Sequence, residues 1–150
     1  MFALKKILEN CPIVAGQHLF ARHCKEGNPH FDVNTSRFVN EQGADIKVKD
    51  AMDMLNVQIR KAARLASSKP TATTRIDGFG PLSEHKLRLL KTKDPKNLVF
   101  AFTDGTLVGK DGDKQCHWMC FIIGKTPVGG RHQWVTAYPV TDRYIEKNLP

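Results

Sequence analysis

Residues 115–123, Gln-Cys-His-Trp-Met-Cys-Phe-Ile-Ile, indicate a β-strand that is buried on both faces. Apolar side chains stand at odd and at even positions, whereas a strand with one face in water alternates apolar and polar residues. We therefore expect this strand in the middle of a sheet. Turn-forming sequences flank it, with Lys-Asp-Gly-Asp at residues 110–113 and a Gly-Pro loop over residues 124–130.

Neighbouring apolar stretches supply the other strands of the predicted sheet. Residues 99–102 lead into Asp104-Gly105, a dipeptide typical of hairpin turns, so residues 106–108 are expected to return as a strand. Residues 131–138 form the last predicted strand. Strands that follow one another through short turns favour a mostly antiparallel sheet.

The earlier half of the chain has the apolar periodicity of helices. The clearest helix spans residues 51–66, with Asp50 as its expected N-cap. Further helices are expected over residues 2–10, 14–25, 82–91 and 141–148. Residues 67–81 are rich in Ser, Thr, Pro and Gly and predict a mobile surface loop.

Helices followed by hairpin-linked strands predict an α+β fold. The 150 residues suffice for a single domain, in which a helical part of about residues 1–91 packs on a sheet of about residues 97–140. The hydrophobic fraction of 41% and the charged fraction of 25% are those of a globular protein, which excludes disordered and fibrous chains. No apolar run approaches the roughly 18 residues that span a bilayer, and no secretory signal pattern is present, so we expect neither a membrane segment nor a signal peptide.

The chain is strongly basic, with 23 Lys and Arg against 15 Asp and Glu and a net charge of +8. The excess is +5 over residues 1–75 and +3 over residues 76–150, so it belongs to the folded body and not to a tail. Such a surplus favours polyanionic partners, of which nucleic acid is the commonest. Five cations against one acid occupy residues 86–96, and this group is either a solvated face or a patch that follows an RNA backbone.

A basic helix face with a histidine is predicted near the N-terminus. On a helix over residues 14–25, His18, Arg22 and Lys25 share one face, because residues four and seven apart lie above one another. His23 points about 140° away from His18 at the helical angle per residue. An imidazole beside two fixed cations can transfer protons at a site that attracts a phosphodiester.

The last predicted strand carries a second candidate face. At a period of two, this face would hold His132, Trp134, Thr136 and Tyr138. An aromatic ring there could stack on a base, and Thr136 could donate a hydrogen bond to a phosphate oxygen. The preceding loop adds Lys125 and Arg131, with backbone N–H groups that can approach a phosphate.

These two motifs carry a resemblance. The pattern His-x-x-x-basic-His at His18, Arg22 and His23, followed by Val-Thr-x-Tyr-Pro at residues 135–139, resembles small bacterial toxin ribonucleases. These are the barnase–EndoU–colicin–RelE-like and RNase A-like nuclease domains, often found at the C-termini of contact-dependent growth inhibition toxins or encoded by phages. The resemblance implies a metal-independent ribonuclease that works with a histidine, a basic residue, a threonine and a tyrosine. It covers the two ends of the chain and little of residues 40–95.

We therefore expect an endoribonuclease toxin of bacterial competition that acts in the cytoplasm of the target cell without a cofactor or metal. RNA supplies its own nucleophile, the 2′-OH, and the products would be a 2′,3′-cyclic phosphate and a 5′-hydroxyl. The expected catalytic residues are His18 as acid or base, Arg22 and Thr136 on the phosphate, and Tyr138 to position or protonate. The second proton carrier would be His23 or His132. The expected RNA contacts are Lys25, Lys125, Arg131 and Trp134.

The expected partners are an RNA substrate, with tRNA among the candidates, and an acidic immunity or inhibitor protein, the free toxin being a monomer. Two other classes remain open: a non-catalytic RNA- or DNA-binding module with the same basic and aromatic face, and a protein-interaction (adaptor) domain. A zinc site from Cys116, Cys120 and two histidines is a further alternative, although this spacing fits zinc less well than a paired-cysteine knuckle. Otherwise the thiols act as small buried hydrophobes.

Overall fold

The computed structural model of the protein describes residues 4–13, 18–25, 35–66, 75–77 and 85–150. In chain order, the elements of these residues are α1 (Leu4–Asn10), α2 (His18–His23), β1 (Arg37–Phe38), α3 (Val48–Leu65), β2 (Arg75–Asp77), β3 (Lys86–Leu90), β4 (Asn97–Thr103), β5 (Gly109–Asp111), β6 (Lys114–Cys116), β7 (Trp118–Gly124), β8 (Trp134–Val140) and α4 (Asp142–Asn148). Helices dominate the N-terminal part and antiparallel strands the C-terminal part. The expected α+β class is confirmed.

The main sheet has five strands in the order β2-β3-β4-β7-β8, and every neighbouring pair is antiparallel. β7 lies between β4 and β8, which confirms the expectation of an interior strand buried on both faces. The predicted strand over residues 115–123 is interrupted at His117, because residues 115 and 116 belong to β6. β6 pairs with β5 in a smaller sheet of order β1-β5-β6.

Helices cover both faces of the main sheet. On one face, α1, α2 and α3 pack through residues such as Leu8, Phe20 and Leu55 against Phe100 and Phe121, and this is the helix-side core. The other face carries a smaller cluster of buried residues, here the α4-side core, whose members are Leu90, Val99, Ala101, Trp118, Cys120, Val140 and Ile145. The main sheet is therefore the middle layer of three.

The helix expected over residues 82–91 is wrong, because residues 86–90 form strand β3. Leu87 and Leu89 enter the helix-side core, while Leu90 enters the α4-side core. Arg88 is buried with its guanidinium 5.7 Å from the centre of the Trp118 ring. Both faces of β3 are thus buried, and the helical part of the chain does not extend to residue 91.

Two local expectations about caps and turns are also wrong. The helix expected over residues 51–66 begins earlier, at Val48, so Lys47 is the N-cap and Asp50 lies in the first turn, where its carboxylate favours the helix dipole. Asp104-Gly105 does not close a hairpin, because β4 already pairs with β3 and β7 and the next strand starts only at Gly109.

Other expected elements agree with the structure within the described residues. The terminal helix expected over residues 141–148 is α4, and the Thr141 hydroxyl caps it by accepting the Tyr144 backbone N–H. α1 and α2 fall within the helices expected over residues 2–10 and 14–25, while residues 2, 3 and 14–17 lie outside the description. The loop expected over residues 67–81 is an exception and is wrong at residues 75–77, which form strand β2 because they pair with β3; the rest of that loop lies outside the described residues. No helix of the described part is long and apolar enough to cross a bilayer.

Candidate active site

A β-bulge in β8 sets the direction of the candidate residues on that strand. Thr136 pairs with Ile122 and Trp134 pairs with Ile123, so Val135 is the extra residue between two rungs of the ladder. A bulge of this kind interrupts the alternation of side-chain direction along a strand. The last strand also begins at Trp134 and not at residue 131.

Trp134 therefore belongs to the helix-side core, whereas Tyr138 packs against the α4-side core. The centre of the indole ring lies 5.8 Å from that of Phe121, and its Nε1 donates to the Cys11 carbonyl oxygen at 2.8 Å. The expectation that Trp134 shares a face with Thr136 and Tyr138 is wrong, because the bulge at Val135 separates them.

A pocket of about 470 Å³ lies between α2 and β8. The residues that line it are Arg22, His23, Thr35, Ser36, Val135, Thr136 and Tyr138. It thus brings together Arg22 and His23 from the N-terminal motif with Thr136 and Tyr138 from the C-terminal motif. These are four of the six residues that the sequence put forward for catalysis.

Contacts with three described residues help to hold His23 in this pocket. Its Nδ1 donates to the Ser36 carbonyl oxygen at 2.8 Å. The edge of Phe38 lies against the imidazole, and the ring of Tyr138 is stacked with it at 5.6 Å between centroids. The side chain is 4% exposed. Because a carbonyl oxygen only accepts, Nδ1 is the ring nitrogen that carries the proton of this hydrogen bond.

Tyr138 stays a neutral phenol at ordinary pH. Burial raises its pKa above the usual value of 10.0, and the neighbouring Cys120 and Tyr144 act in the same direction. Its hydroxyl oxygen lies 2.8 Å from that of Tyr144, and the two rings meet edge to face. Burial also raises the pKa of the Cys120 thiol to about 12, so this neighbour is uncharged as well.

The cations Arg22 and Lys25 differ in the negative charges that lie near them. Arg22 is exposed and lines the pocket, whose described lining contains no carboxylate. The Lys25 ammonium lies 3.9 Å from Asp45 Oδ2, while the other oxygen of that carboxylate accepts from Arg37 Nε at 2.9 Å. Lys25 is therefore partly neutralised by Asp45 and is not among the described residues that line the pocket.

The remaining candidates lie elsewhere or outside the description. His18 opens α2, but its side chain is outside the described part. His132 donates from Nδ1 to the Gly124 carbonyl oxygen at 2.9 Å, in the loop between β7 and β8. Lys125 and Arg131 are exposed in the same loop. None of these three residues is among those that line the pocket.

Three residues of the site were not predicted from the sequence. Ser36 supplies the carbonyl that orients His23, Thr35 lines the pocket beside it, and Tyr144 meets the Tyr138 hydroxyl. Residues 35 and 36 precede a two-residue strand, so no periodicity marks them. Tyr144 stands three residues after the N-cap Thr141 of the terminal helix, and that spacing on its own gives no hint of a site.

The described residues provide no ligand set for zinc. Cys116 and Cys120 are both buried, in β6 and β7, and burial raises the pKa of each thiol to about 12. Thiols bind zinc as thiolates, which burial disfavours. Across the described ranges, no group of three or more His, Cys, Asp or Glu is placed to hold a metal ion.

Comparison with known protein families, with curated proteins and with solved structures finds no match to this chain. The pocket and its chemistry are therefore the basis of the functional proposal.

Proposed function

We propose that the pocket between α2 and β8 is the active site of a metal-independent endoribonuclease. The observation that carries this proposal is the stacked pair of His23 and Tyr138 in one pocket with Arg22 and Thr136. An imidazole, a guanidinium and two hydroxyls are the groups that transesterification of RNA requires: a proton carrier, a fixed positive charge and hydrogen-bond donors.

His23 takes the role of proton carrier in this proposal. Nδ1 donates to the Ser36 carbonyl, and the proposal assigns the proton exchange with the substrate to the other ring nitrogen, Nε2. As a base it would remove the proton of the 2′-OH, which then attacks the adjacent phosphorus. The arrangement parallels the general case in which the partner of one ring nitrogen fixes the task of the other. The sequence preferred His18 for this role, and that preference stays a prediction.

Arg22 and the hydroxyls act on the phosphate. The guanidinium of Arg22 balances the charge that grows on the phosphorane oxygens, and Thr136 donates to one of them. Tyr138, a neutral phenol, donates a hydrogen bond to the phosphate. The P–O5′ bond breaks as the 2′-oxygen bonds to phosphorus, and the proton that His23 took from the 2′-OH is returned to the departing 5′-oxygen, which leaves as the 5′-hydroxyl. Among the described residues that line the pocket there is no carboxylate to bind Mg²⁺, and this supports the substrate's own 2′-OH as nucleophile over a metal-bound water.

Single-turnover cleavage of single-stranded RNA in EDTA tests the proposal. We expect cleavage by the wild type, with cyclic phosphate ends, and resistance of an RNA that carries 2′-O-methyl groups. His23→Gln should lower the rate by about 10²–10⁴-fold with little change in RNA affinity. His132→Gln is the matched control, because that imidazole also donates Nδ1 to a carbonyl but lies outside the pocket lining.

Three outcomes would contradict the proposal. One is equal cleavage of the methylated RNA, and another is a wild-type rate in folded His23→Gln. The third is loss of activity in His132→Gln alone, which would move the proton carrier to the β7–β8 loop. RNA binding without any cleavage would favour the non-catalytic binding module instead.

An acidic protein inhibitor fits the same proposal. A ribonuclease toxin must be neutralised in the cell that makes it, and the net charge of +8 would attract an acidic partner. Such an inhibitor would cover Arg22 and Tyr138, and salt would slow its association. A complex in which the pocket stays open to solvent would contradict direct occlusion.

A further inference from the structure

Two connecting segments lie side by side at one end of the main sheet. Residues 91–96 join β3 to β4, and residues 125–133 join β7 to β8. The backbone N–H of Lys125 donates to the Lys96 carbonyl oxygen at 2.9 Å, which ties the two segments together. We call the exposed side of these two segments the basic end surface.

The basic end surface concentrates the positive charge of the chain. Its cations are Lys91, Lys93, Lys96, Lys125 and Arg131, and its single acid is Asp94. The resulting charge of +4 is half of the net charge of +8, although the two segments hold only a tenth of the 150 residues.

The charges of this surface are available to a ligand. All five cationic side chains are exposed, and none of them lies within 4.0 Å of an acid in the described part of the chain. The Asp94 carboxylate accepts the backbone N–H of Lys96 at 2.9 Å, so its charge is partly engaged by the turn itself. Of the cations that the sequence grouped over residues 86–96, Arg88 is buried against Trp118 and does not contribute.

The basic end surface is continuous with the pocket along the chain. The segment that carries Lys125 and Arg131 runs directly into β8, where Val135 and Thr136 line the pocket. Thr136 follows Arg131 by five positions, and a chain of this length spans at most about 17 Å. Arg131 therefore lies within a distance of Thr136 that a few nucleotides of extended RNA can span.

We infer that the basic end surface binds the phosphates of single-stranded RNA next to the nucleotide held in the pocket. This inference rests on the proposed function, since it names where the flanking strand lies. Flexible lysines present point charges without a fixed hydrogen-bond pattern, so they bind the backbone and do not select bases. The surface should raise the affinity for long substrates and leave the chemical step unchanged.

A triple variant, Lys91→Ala/Lys93→Ala/Lys96→Ala, tests the inference. Its control is Lys49→Ala/Arg60→Ala/Arg64→Ala, which removes three exposed cations from α3 and changes the net charge equally. Binding is measured with a 2′-O-methyl oligouridine, which cannot be cleaved, and cleavage with a uridine dinucleotide. Circular dichroism and urea unfolding confirm that both variants fold.

We expect the triple variant to bind the oligouridine at least tenfold more weakly at low salt, and the control to stay within about twofold of the wild type. Between about 50 and 200 mM salt, the affinity of the triple variant should fall roughly tenfold less than that of the wild type, because three fewer phosphates are neutralised. Cleavage of the dinucleotide, which is too short to reach the surface, should be unchanged.

An equal loss of oligouridine affinity in both triple variants would overturn the inference, because the net charge of the protein, and not this surface, would then explain the binding. Loss of dinucleotide cleavage in the first variant would also overturn it, since those lysines would then act in the pocket. Weaker binding of polyglutamate with unchanged RNA binding would assign the surface to an acidic protein and contradict the inference. If the wild type does not cleave the dinucleotide but the binding difference persists, the proposed catalysis fails and the RNA-binding surface stands.

Discussion

The imidazole of His23 and the phenol ring of Tyr138 are stacked, with centroids 5.6 Å apart and planes inclined by 25°. One ring comes from the end of the second helix and the other from the edge strand of the main sheet, so the stack joins opposite ends of the chain. A buried imidazole between Phe38 and Tyr138 loses most of its freedom to rotate. Such restriction keeps the proton-bearing atom in place, which is what proton transfer to a bound substrate demands.

Tyr138→Phe separates the stacking role of the ring from the hydrogen bond of its hydroxyl. The variant keeps the aromatic ring on His23, and we expect it to fold with a loss of about 1 kcal/mol for the hydrogen bond to Tyr144. If the hydroxyl donates to the phosphate, single-turnover cleavage should slow by about 10²-fold. Tyr144→Phe is the control, because it removes the partner of that hydroxyl but leaves the hydroxyl itself. Equal rates for Tyr138→Phe and the wild type would exclude a role for the phenol in cleavage.

Gly109 lies where strand β5 of the small sheet packs tightly against β8. A β-carbon at this position would lie 2.2 Å from Pro139 Cβ and 2.7 Å from the Arg37 carbonyl oxygen, so backbone must move to admit it. We expect Gly109→Ala to lower the free energy of unfolding by about 1–3 kcal/mol in urea denaturation. Gly124→Ala is the matched control, since its nearest contact would be an ordinary 3.7 Å from the Gln133 carbonyl oxygen. Comparable stability of the two variants would show that β5 has room to withdraw from β8.

The sequence predicted the parts of the fold that periodicity or double-sided burial marks clearly. The strand that became β7 was recognised because both of its faces are apolar, and α3 because its apolar residues repeat every three and four positions. The sequence does not predict β3, because Lys86 and Arg88 interrupt its apolar residues and further charged residues flank it. Its Arg88 is buried under an indole ring from β7, a contact that depends on strand pairing. The residues of one strand do not indicate which strand will pair with it.

The same limit applies to the candidate site. Arg22, Thr136 and Tyr138 were put forward from two short motifs, and the pocket holds all three. Trp134 was assigned to the wrong face because the alternation rule assumes an unbroken strand, and the bulge at Val135 follows from the pairing with β7. The hydrogen bond of His23 to the Ser36 carbonyl involves a residue outside both motifs. No spacing within the helix could therefore indicate it.

The ion pair of Lys61 and Asp104 joins α3 to the end of β4 at 2.8 Å. Burial opposes ionisation of Asp104, but hydrogen bonds from Lys61 and Thr106 outweigh it and hold the pKa of this carboxyl below its ordinary value of 3.8. A lowered folded-state pKa stabilises the fold above the unfolded value, and this contribution is lost as the pH falls from about 3.8 toward the folded value.

Asp104→Asn should therefore be less stable than the wild type at neutral pH by about 1–2 kcal/mol, with a smaller difference below pH 3.8. Urea unfolding at neutral and acid pH measures both values. Asp113→Asn, which removes an exposed carboxylate, should change stability little at neutral pH. If Asp104→Asn is less stable than the wild type by the same amount at acid pH, the shape of the side chain and not its charge would be responsible.

The two tyrosines of the chain, Tyr138 and Tyr144, permit a direct test of the hydroxyl pair at alkaline pH. Burial raises the pKa of both phenols above the usual 10.0, and Cys120 next to them adds to the effect. The ultraviolet absorbance of tyrosinate should therefore stay absent in the folded protein at pH 10, where a denatured sample is half ionised. Because the unfolded chain releases these protons first, the free energy of unfolding should decline as the pH rises above about 10.

In Tyr144→Phe the remaining phenol loses a hydrogen-bonded neighbour but keeps its burial, so it should still ionise late. A tyrosinate signal near pH 10 in a sample whose circular dichroism is native would mean that the pair is open to solvent, and Tyr138 could not then serve as a buried neutral donor.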